Sequence, residues 1–417
     1  MLNLTIFEDK EVSYLFPLTL NHPAFELLNG ALSILSRINL YFPNNKINFL
    51  IREELKLLTK EKYPLHTVNN LRLSEDQLLI NSRCIIDQEL YDKIISSDFS
   101  GNWIYLNEKD ELLAAYLKDK QLNTAIELLK NQVTNQDLLN SIRIDCLVKD
   151  NLKTKLISNL WDLVYFNEST LINDYHLLNQ KGIIKGCVKP FVNIDNESQV
   201  FIDKNSRIEN FVDINTENGP VYIEENVQVD PFTFLKGPIF IGKNSHILGG
   251  KIVNTSIGQD CKIHGELNTT IFCSHSNKAH DGFIGHSYIG EWVNLGAMTT
   301  NSNLKNTYGH ITLEQDSQKL TSQKIFLGAF IGDQVKTAIG TLIATGSIIG
   351  FGSCLLGAAP HGKFVPSFSW GEKGKYQKYE LEKLIATQQR MMQRRGLKLN
   401  EQEIALIKEL YKESVAK

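Results

Sequence analysis

The chain has 417 residues, of which 42% are hydrophobic and 22% are charged, a composition typical of a globular protein with two or three domains. Its net charge of −3 gives no overall attraction to nucleic acid or to an anionic membrane, so neither is expected as a partner. The six cysteines are scattered and form no Cys-x-x-Cys pair, which argues against a disulfide framework or a zinc knuckle. With no secretory signal and no apolar run of about 20 residues, a cytoplasmic location is expected.

Residues 1–180 are predicted to form an α/β domain. Strands are predicted at the short apolar runs 2–7, 46–51 and 77–81. Helices are predicted where apolar residues recur at helical spacing, at 25–40 and 112–129. Strands and helices that alternate in this way favour a parallel sheet with crossover helices.

A hexapeptide repeat begins after Gly182 and defines a second domain at 181–370. An aliphatic residue recurs every six positions and is often followed by Gly, Asp or Glu, as at Ile241-Gly242 and Ile289-Gly290. Such hexads predict short strands that close triangular coils, and the coils stack by parallel pairing into a β-helix. The repeat is interrupted at 301–323, which predicts a loop that leaves one corner of the coil.

Residues 371–417 are predicted to form two helices that brace the repeat domain. The first, at 379–392, ends before Gly396, and the second begins with Asn400 and Glu403 in the spacing of a capping box. The basic run at 390–395 is interpreted as a solvated helix face.

The polar segment 276–297 carries the candidate chemistry, and His280 is its candidate general base. A neutral imidazole can accept a proton from an amine nucleophile because a histidine pKa lies close to the working pH. Lys278 and Asp281 are candidates for substrate charge contact and for tautomer control. Backbone N–H groups at Gly296-Ala297 can hold a thioester carbonyl. Neutral hydrogen-bonding groups are offered by two further side chains, Asn294 and Asn303.

Two alternatives to catalysis remain open for this histidine. A single histidine in a polar loop is often only solvated, although three of the ten histidines, His275, His280 and His286, stand close together in this segment. The second alternative is zinc, since His275 and His280 have the spacing of two ligands in hexapeptide-repeat carbonic anhydrases. A third ligand would then come from His246 or His264.

At these residues the chain resembles a known family. The blocks Lys278-Ala279-His280, Ile284-Gly285 and 289–297 resemble the acetyltransferase half of the bifunctional N-acetylglucosamine-1-phosphate uridyltransferase / glucosamine-1-phosphate acetyltransferase. The Bacteroidetes-type variant, a sugar nucleotidyltransferase family, is the closer match. It shares blocks along the whole chain: 17–19, 161–167, 276–297, 303–306 and 364–370.

The resemblance implies a left-handed parallel β-helix that forms a homotrimer, with active sites shared between neighbouring chains. It implies an acetyl-CoA-dependent N-acetyltransferase that acts on an amino sugar phosphate. His280 matches the catalytic base, Asn294 a sugar-phosphate contact, and Phe283 stands where the standard enzyme has a sugar-binding tyrosine. The acetyl-CoA contacts match three residues: Ala297, Asn303 and Leu304. The lysine and arginine that hold the sugar phosphate have no clear counterparts.

The resemblance also implies a nucleotidyltransferase-like, Rossmann-like fold for the N-terminal domain, but its phosphate loop differs. A nucleotidyltransferase needs backbone N–H groups and positive charge around the triphosphate, whereas residues 7–13 contain Glu8, Asp9 and Glu11 and no glycine. Asp162 and Asn167 remain as candidate Mg²⁺ ligands, and Mg²⁺ is expected only if nucleotidyl transfer is active. We therefore expect this chemistry to be weakened or lost. Active uridylyl transfer in a bifunctional enzyme and non-catalytic sugar-nucleotide binding remain the alternatives.

Overall fold

The computed structural model describes residues 2–71, 76–142, 146–148, 152–315, 318–357 and 360–416. The chain divides into two compact units. The first contains Met1–Leu27, Leu32–Leu160 and Asn400–Glu409, and the second contains Leu28–Ala31, Trp161–Leu399 and Leu410–Lys417. Packing therefore joins the segment after Leu160 to the second unit, whereas the repeat pattern places the sequence boundary at 180/181.

A seven-stranded mixed sheet forms the centre of the first unit. Its strands lie in the order Cys146–Val148, Trp103–Leu106, Leu112–Leu117, Gln77–Asn81, Asn3–Phe7, Lys46–Leu50 and Thr67–Val68. The last four are mutually parallel, while Leu112–Leu117 runs antiparallel to both of its neighbours. Its remaining short strands are Leu32–Ser33, Cys84–Ile85 and Lys155–Leu156, while the strand Leu28–Asn29 belongs to the second unit.

Two predicted helices are partly wrong. Residues 112–117 form a strand because all six side chains are buried, and an apolar run buried on both faces suits a central strand as well as a helix. In the segment 25–40 the helix begins only at Ile34, since Gly30 has a φ of +76° that interrupts regular helix.

The α-helices in the described part of the chain are numbered in chain order. They are α1 (Ile34–Tyr41), α2 (Lys56–Lys62), α3 (Gln88–Ser96), α4 (Asp119–Lys130), α5 (Asn135–Ser141), α6 (Leu160–Leu178), α7 (Leu381–Gln393) and α8 (Glu401–Ala416). None of them is long and apolar enough to cross a membrane. Gly396, with a φ of +71°, lies in the turn after α7, as predicted. The capping box before α8 is confirmed, because the Asn400 and Glu403 side chains accept from each other's backbone N–H at 2.7 Å.

Parallel strands of the second unit form the three faces of a β-helix, which confirms the fold predicted from the hexads. Face 1 consists of Cys187–Val188, Arg207–Ile208, Gln228–Val229, His246–Ile247, Lys262–Ile263, Asn277–Lys278, Lys336–Thr337, Cys354–Leu355, Ser369–Gly371 and the antiparallel Gln377–Lys378. Face 2 begins with Asn193–Ile194 and Asp213–Asn215 and ends with Phe283–Gly285, Thr300–Asn301 and Leu342–Ile343. Face 3 consists of Val200–Ile202, Val221–Ile223, Tyr288–Ile289, Ala329–Ile331, Ser347–Ile349 and Phe364–Val365. Three long strands pass from face 2 to face 3: Thr233–Ile241, Gly250–Ile257 and Glu266–Phe272.

Columns of aliphatic side chains fill the interior of the β-helix. On face 1 the inward column contains Val229, Ile247, Ile263 and Leu295, each at most 1% exposed. Outside the core, the corner before face 1 turns through residues with φ near +60°, such as Asn226 and Asn244, and asparagine tolerates this conformation well. Each coil therefore repeats the same inward residue and the same turn.

The predicted interruption of the repeat is confirmed as an insertion at the corner between faces 2 and 3. It leaves after Asn303 and returns at Leu327, whose N–H donates to the Asn303 carbonyl at 2.8 Å. An antiparallel hairpin, Thr312–Gln315 with Gln318–Thr321, lies within it. The insertion thus projects from a corner whose coil remains in register.

Candidate active site

His280 lies on the turn between faces 1 and 2, directly after the strand Asn277–Lys278. Its side chain is exposed and makes no hydrogen bond to any described residue. Its backbone is held, because the His280 carbonyl accepts a hydrogen bond from Lys278 Nζ at 2.7 Å. The imidazole is therefore available to a ligand, while Lys278 fixes the main chain of His280.

Lys278 occupies an interior position that hydrocarbon side chains fill in the neighbouring coils. It pairs with Ile263 in the face 1 ladder and is 1% exposed. Its ammonium donates to the carbonyls of His264, at 3.0 Å, and His280. Gly265 leaves room for it, since a Cβ there would lie 2.8 Å from Nζ. The predicted substrate contact by Lys278 finds no support, because the side chain points into the core.

Burial is the largest influence on the pKa of Lys278 and lowers it to about 8, against an opposing effect of Asp281. The Asp281 carboxylate lies 3.0 Å from His264 Nε2, within hydrogen-bonding distance. The other ring nitrogen of His264, Nδ1, lies 2.7 Å from the Leu248 carbonyl oxygen. Asp281 is thus engaged by His264, and no bond from it orients the His280 ring.

Ala297 lies on the same turn as His280, one coil further along the β-helix. The two turns are in register, as the bond from Met298 N to the Asp281 carbonyl, 3.0 Å, shows. The Gly296 N–H already donates to Thr337 Oγ1 at 2.9 Å. The Ala297 N–H has no acceptor among the described residues, so it is the donor that remains available for an oxyanion.

Asn294 is exposed on face 1, in the coil above Asn277. Its Oδ1 accepts from Asn277 Nδ2 at 2.7 Å, which leaves its own Nδ2 directed to neither neighbour in the ladder. The predicted sugar contact at Asn294 therefore has an amide whose orientation is fixed by Asn277.

Phe283 and Asn303 meet over Gly285. A Cβ on Gly285 would lie 2.3 Å from Phe283 Cζ and 2.8 Å from Asn303 Nδ2, so only glycine fits beneath the ring. Asn303 Nδ2 lies 2.9 Å from His286 Nδ1. Leu304 forms an antiparallel bridge with Phe326 at the base of the insertion. The structure thus brings Phe283, Asn303 and Leu304 to one end of face 2, while Asn294 lies on face 1.

His286 was noted in the sequence only for its closeness to His280, and the structure places it under the insertion. Burial lowers its pKa to about 4, and its ring stacks on Phe326 with 5.4 Å between centroids. A neutral His286 accepts the hydrogen bond from Asn303, so the imidazole fixes which way that amide faces.

Three of the four histidines considered as zinc ligands are engaged in other contacts. His275 stacks on Trp292 at 4.3 Å and lies 3.6 Å from Asp260, and both nitrogens of His264 are engaged. His246 pairs with Asp230 at 2.9 Å. Across the described ranges, no group of three or more His, Cys, Asp or Glu side chains is arranged to hold a metal ion.

The geometry gives no support to Asp162 and Asn167 as Mg²⁺ ligands. Both lie on α6, five residues apart, so they leave the helix in directions roughly 140° apart. Asn167 is 2% exposed, and its Oδ1 accepts from Gly30 N at 2.8 Å and from Ser256 Oγ at 3.0 Å. Both lone pairs of that oxygen are used. The residues present do not fit a magnesium site at this position.

The acidic loop of the first unit carries two buried ion pairs that sequence reasoning missed. Asp9 binds Arg83 through two hydrogen bonds of 3.0 and 2.7 Å, and Glu8 binds Arg52 at 3.0 Å. All four side chains are at most 7% exposed. No local signal announces these pairs, because the partners are more than forty residues apart in sequence. The carboxylates therefore neutralise Arg52 and Arg83.

Residues 4–182 match the family model for a sugar nucleotidyl transferase. A bifunctional protein GlmU of Methanococcus aeolicus is 28% identical over 333 residues, covering 76% of this chain and 78% of that protein. A bifunctional protein GlmU of Nitrosomonas eutropha is 23% identical over 356 residues, covering 73% of each. A bifunctional sugar-1-phosphate nucleotidylyltransferase/acetyltransferase of Sulfurisphaera tokodaii is 31% identical over 162 residues, covering 37% of this chain and 39% of that protein.

Proposed function

Since the chain belongs to the GlmU-like family, we propose that it transfers the acetyl group of acetyl-CoA to the amine of an amino sugar phosphate such as glucosamine 1-phosphate. One observation carries the proposal. The exposed, unbonded imidazole of His280 lies one coil from an unused N–H at Ala297. Adjacent parallel strands are about 4.8 Å apart, so the backbones of His280 and Ala297 are close enough for a base and an oxyanion donor to act on one carbonyl.

In the proposed step the amine nitrogen attacks the thioester carbonyl and a carbon–nitrogen bond forms. His280 takes the proton of the amine, and the Ala297 N–H donates to the oxyanion of the tetrahedral intermediate. The carbon–sulfur bond then breaks, and the thiolate of coenzyme A receives the proton from His280. The products are the N-acetylated sugar phosphate and free coenzyme A.

The test follows release of coenzyme A thiol with glucosamine 1-phosphate as acceptor. General-base assistance contributes about 10² to 10⁴ in rate, so His280→Ala should lower kcat by that factor while leaving the assembly state intact. His310→Ala is the matched control, since His310 is also an exposed histidine of the β-helix unit. Unchanged turnover in His280→Ala would remove this residue from the mechanism.

The remaining contacts belong to the same proposal. Asn294 binds the sugar phosphate, and Ala297, Asn303 and Leu304 bind acetyl-CoA. Phe283 contacts the acceptor through its ring and offers no hydroxyl. The chain acts as a homotrimer in the cytoplasm. An exposed aromatic column on the corner between faces 1 and 2 supports self-association: Phe191, Phe211 and Phe232 stack in parallel, with centroids 6.0 and 5.7 Å apart.

Nucleotidyl transfer is the second candidate function, favoured by the match of residues 4–182 to a sugar nucleotidyl transferase family. The ion pairs of Glu8 and Asp9 argue against nucleotidyl transfer. The loop presents carboxylates, and Arg52 and Arg83 are already paired with them, so neither arginine is available to bind a triphosphate. We expect no Mg²⁺-dependent pyrophosphate release from UTP and N-acetylglucosamine 1-phosphate. Measurable release would overturn this expectation and make the protein bifunctional. Binding of a sugar nucleotide with neither product formed would indicate a non-catalytic protein.

A further inference from the structure

A cavity of about 440 Å³ lies within the second unit, between face 1 of the β-helix and α7. This volume is in the range of small-molecule sites. Its floor is formed by face 1 and the preceding turns, and its roof by α7 and the turn that follows it. The basic run interpreted from sequence as a solvated helix face therefore borders a cavity of ligand size.

Five cationic side chains line this cavity: Lys262, Lys336, Arg390, Arg394 and Arg395. The described residues that line it include no aspartate or glutamate. Among the residues that the structure describes, none of the five has a carboxylate within ion-pair distance. Arg390 and Arg394 are four residues apart on one helix face, where like charges repel. The cavity concentrates positive charge that the protein itself does not neutralise.

Two residues on the floor, Lys336 and His275, also have polar groups that a ligand could satisfy. Lys336 donates to the Gln334 carbonyl at 2.7 Å, and burial lowers its pKa to about 8. His275 Nδ1 is buried and has no hydrogen-bond partner, although His275 Nε2 faces Asp260 at 3.6 Å. An anion in the cavity would stabilise the ammonium form of Lys336, and a hydroxyl or water beside it could satisfy the orphaned nitrogen.

Neutral hydrogen-bonding groups border the same space. Asn277 and Asn294 lie on the floor, and Thr387 lies on the roof. Amides and hydroxyls beside cations suit a ligand with both hydroxyl groups and a phosphate. Guanidinium groups match phosphate oxygens because each can donate two parallel hydrogen bonds.

We propose that the cavity between face 1 and α7 is a binding site for a phosphate-bearing small molecule, held by Lys262 on the floor and by Arg390 and Arg394 on the roof. The cavity shares Asn294 with the proposed acetyl-transfer site, but the inference is argued from the cations and does not depend on acetyl transfer. Two sources share this chemistry, a sugar phosphate and the phosphate groups of coenzyme A.

Calorimetric titration of the full chain with inorganic pyrophosphate tests the site. The wild type should bind, and the double variant Lys262→Gln/Arg394→Gln should bind at least tenfold more weakly, since it loses two groups that can form charge-assisted hydrogen bonds to phosphate oxygens. Lys383→Gln is the matched control on α7, because Lys383 is an exposed cation paired with Glu380. No binding by the wild type, or equal binding by the double variant, would overturn the proposal.

Competition identifies the source. Displacement of pyrophosphate by glucosamine 1-phosphate would assign the site to a sugar phosphate, and displacement by coenzyme A would assign it to the cofactor-like ligand. If neither competes while the double variant still loses pyrophosphate binding, the site stands and takes another phosphorylated molecule. Acetyl transfer is measured separately as thiol release, so its absence leaves the binding result unaffected. Unfolding midpoints of the variants, compared with wild type, separate lost binding from lost folding.

Discussion

At the scale of single residues, Lys278 is the least expected feature of the β-helix. A lysine in an aliphatic column is disfavoured by desolvation, and the lowering of its pKa from 10.5 to about 8 corresponds to about 3 kcal/mol against the charged form. Two charge-assisted hydrogen bonds to carbonyls offset this cost. Their second effect is positional, because one acceptor is the His280 carbonyl. We therefore assign Lys278 as a positioning residue for the candidate base.

Lys278→Met should lower kcat about 10- to 100-fold with little change in KM, since a small displacement of a catalytic group has effects of that order. Stability provides a second readout. The folded pKa of about 8 lies below the unfolded value of 10.5, so the unfolded chain binds more protons between these values and stability rises with pH there. The wild type should thus gain up to about 3 kcal/mol relative to Lys278→Met as the pH rises through this window.

Denaturant unfolding of both proteins at about pH 7.5 and about pH 10 measures this difference. Lys251→Met is the control, because Lys251 is 54% exposed on face 2. A stability difference that does not change with pH would contradict the buried-charge assignment.

At the scale of elements, the titratable side chain of His286 connects the two ends of the insertion to the coil. Asn303 and Phe326 mark its two ends, and both contact His286. Because the folded pKa of His286, about 4, lies below the ordinary value of 6.5, stability is present above pH 6.5 and is lost as the pH falls towards 4. Protonation also removes the acceptor for Asn303 Nδ2.

We expect the ends of the insertion to loosen between about pH 6.5 and about pH 4. Hydrogen exchange at Leu327, whose N–H donates to Asn303, should accelerate in this window beyond the intrinsic effect of pH. In His286→Gln this excess should disappear, because an amide does not titrate there. Equal exchange in both proteins would show that His286 does not control the insertion.

The elements also show which parts of the fold could be predicted from the sequence. The hexads predicted the β-helix because each coil repeats its inward residue, and the capping box of Asn400 and Glu403 was predicted because it is local. The strand at 112–117 could not be distinguished from a helix, since its burial comes from neighbours distant in sequence. The same limit hid the ion pair of Asp9 with Arg83 and, although the bracing role of the C-terminal helices was predicted, the face of the β-helix that α7 covers.

The candidate site was predicted unevenly for the same reason. His280 stands out through motif and composition, and the structure leaves its imidazole exposed. Lys278 was predicted to contact substrate, whereas the structure places its side chain in the interior. The hexad phase carried a signal for this, because it puts position 278 in the column of Ile263 and Leu295. The competing influence of His264 on Asp281 depends on stacking of coils and has no local signature.

At the scale of the whole molecule, the aromatic column bears on assembly. Phe191, Phe211 and Phe232 are 68%, 59% and 78% exposed, and contiguous exposed apolar side chains mark interaction surfaces. Phe232→Glu should shift the proposed homotrimer to smaller species at micromolar concentration, as measured by light scattering after size exclusion. Tyr308→Glu is the control, since Tyr308 is 74% exposed in the insertion. A trimer that persists in Phe232→Glu would place the subunit contact elsewhere.

The ion pairs of Glu8 and Asp9 limit which substitutions the first loop can tolerate. Replacing Asp9 with glycine would make the loop resemble a phosphate cradle, but Arg83, with no exposed surface, would keep a buried charge without its partner. Breaking a buried pair costs about 3–5 kcal/mol, a large part of the roughly 5–15 kcal/mol that stabilises a typical domain. A change of this loop towards triphosphate binding therefore requires Asp9 and Arg83 to be replaced together. Either single substitution leaves one buried charge without its partner, so the ion pair disfavours stepwise change at this loop.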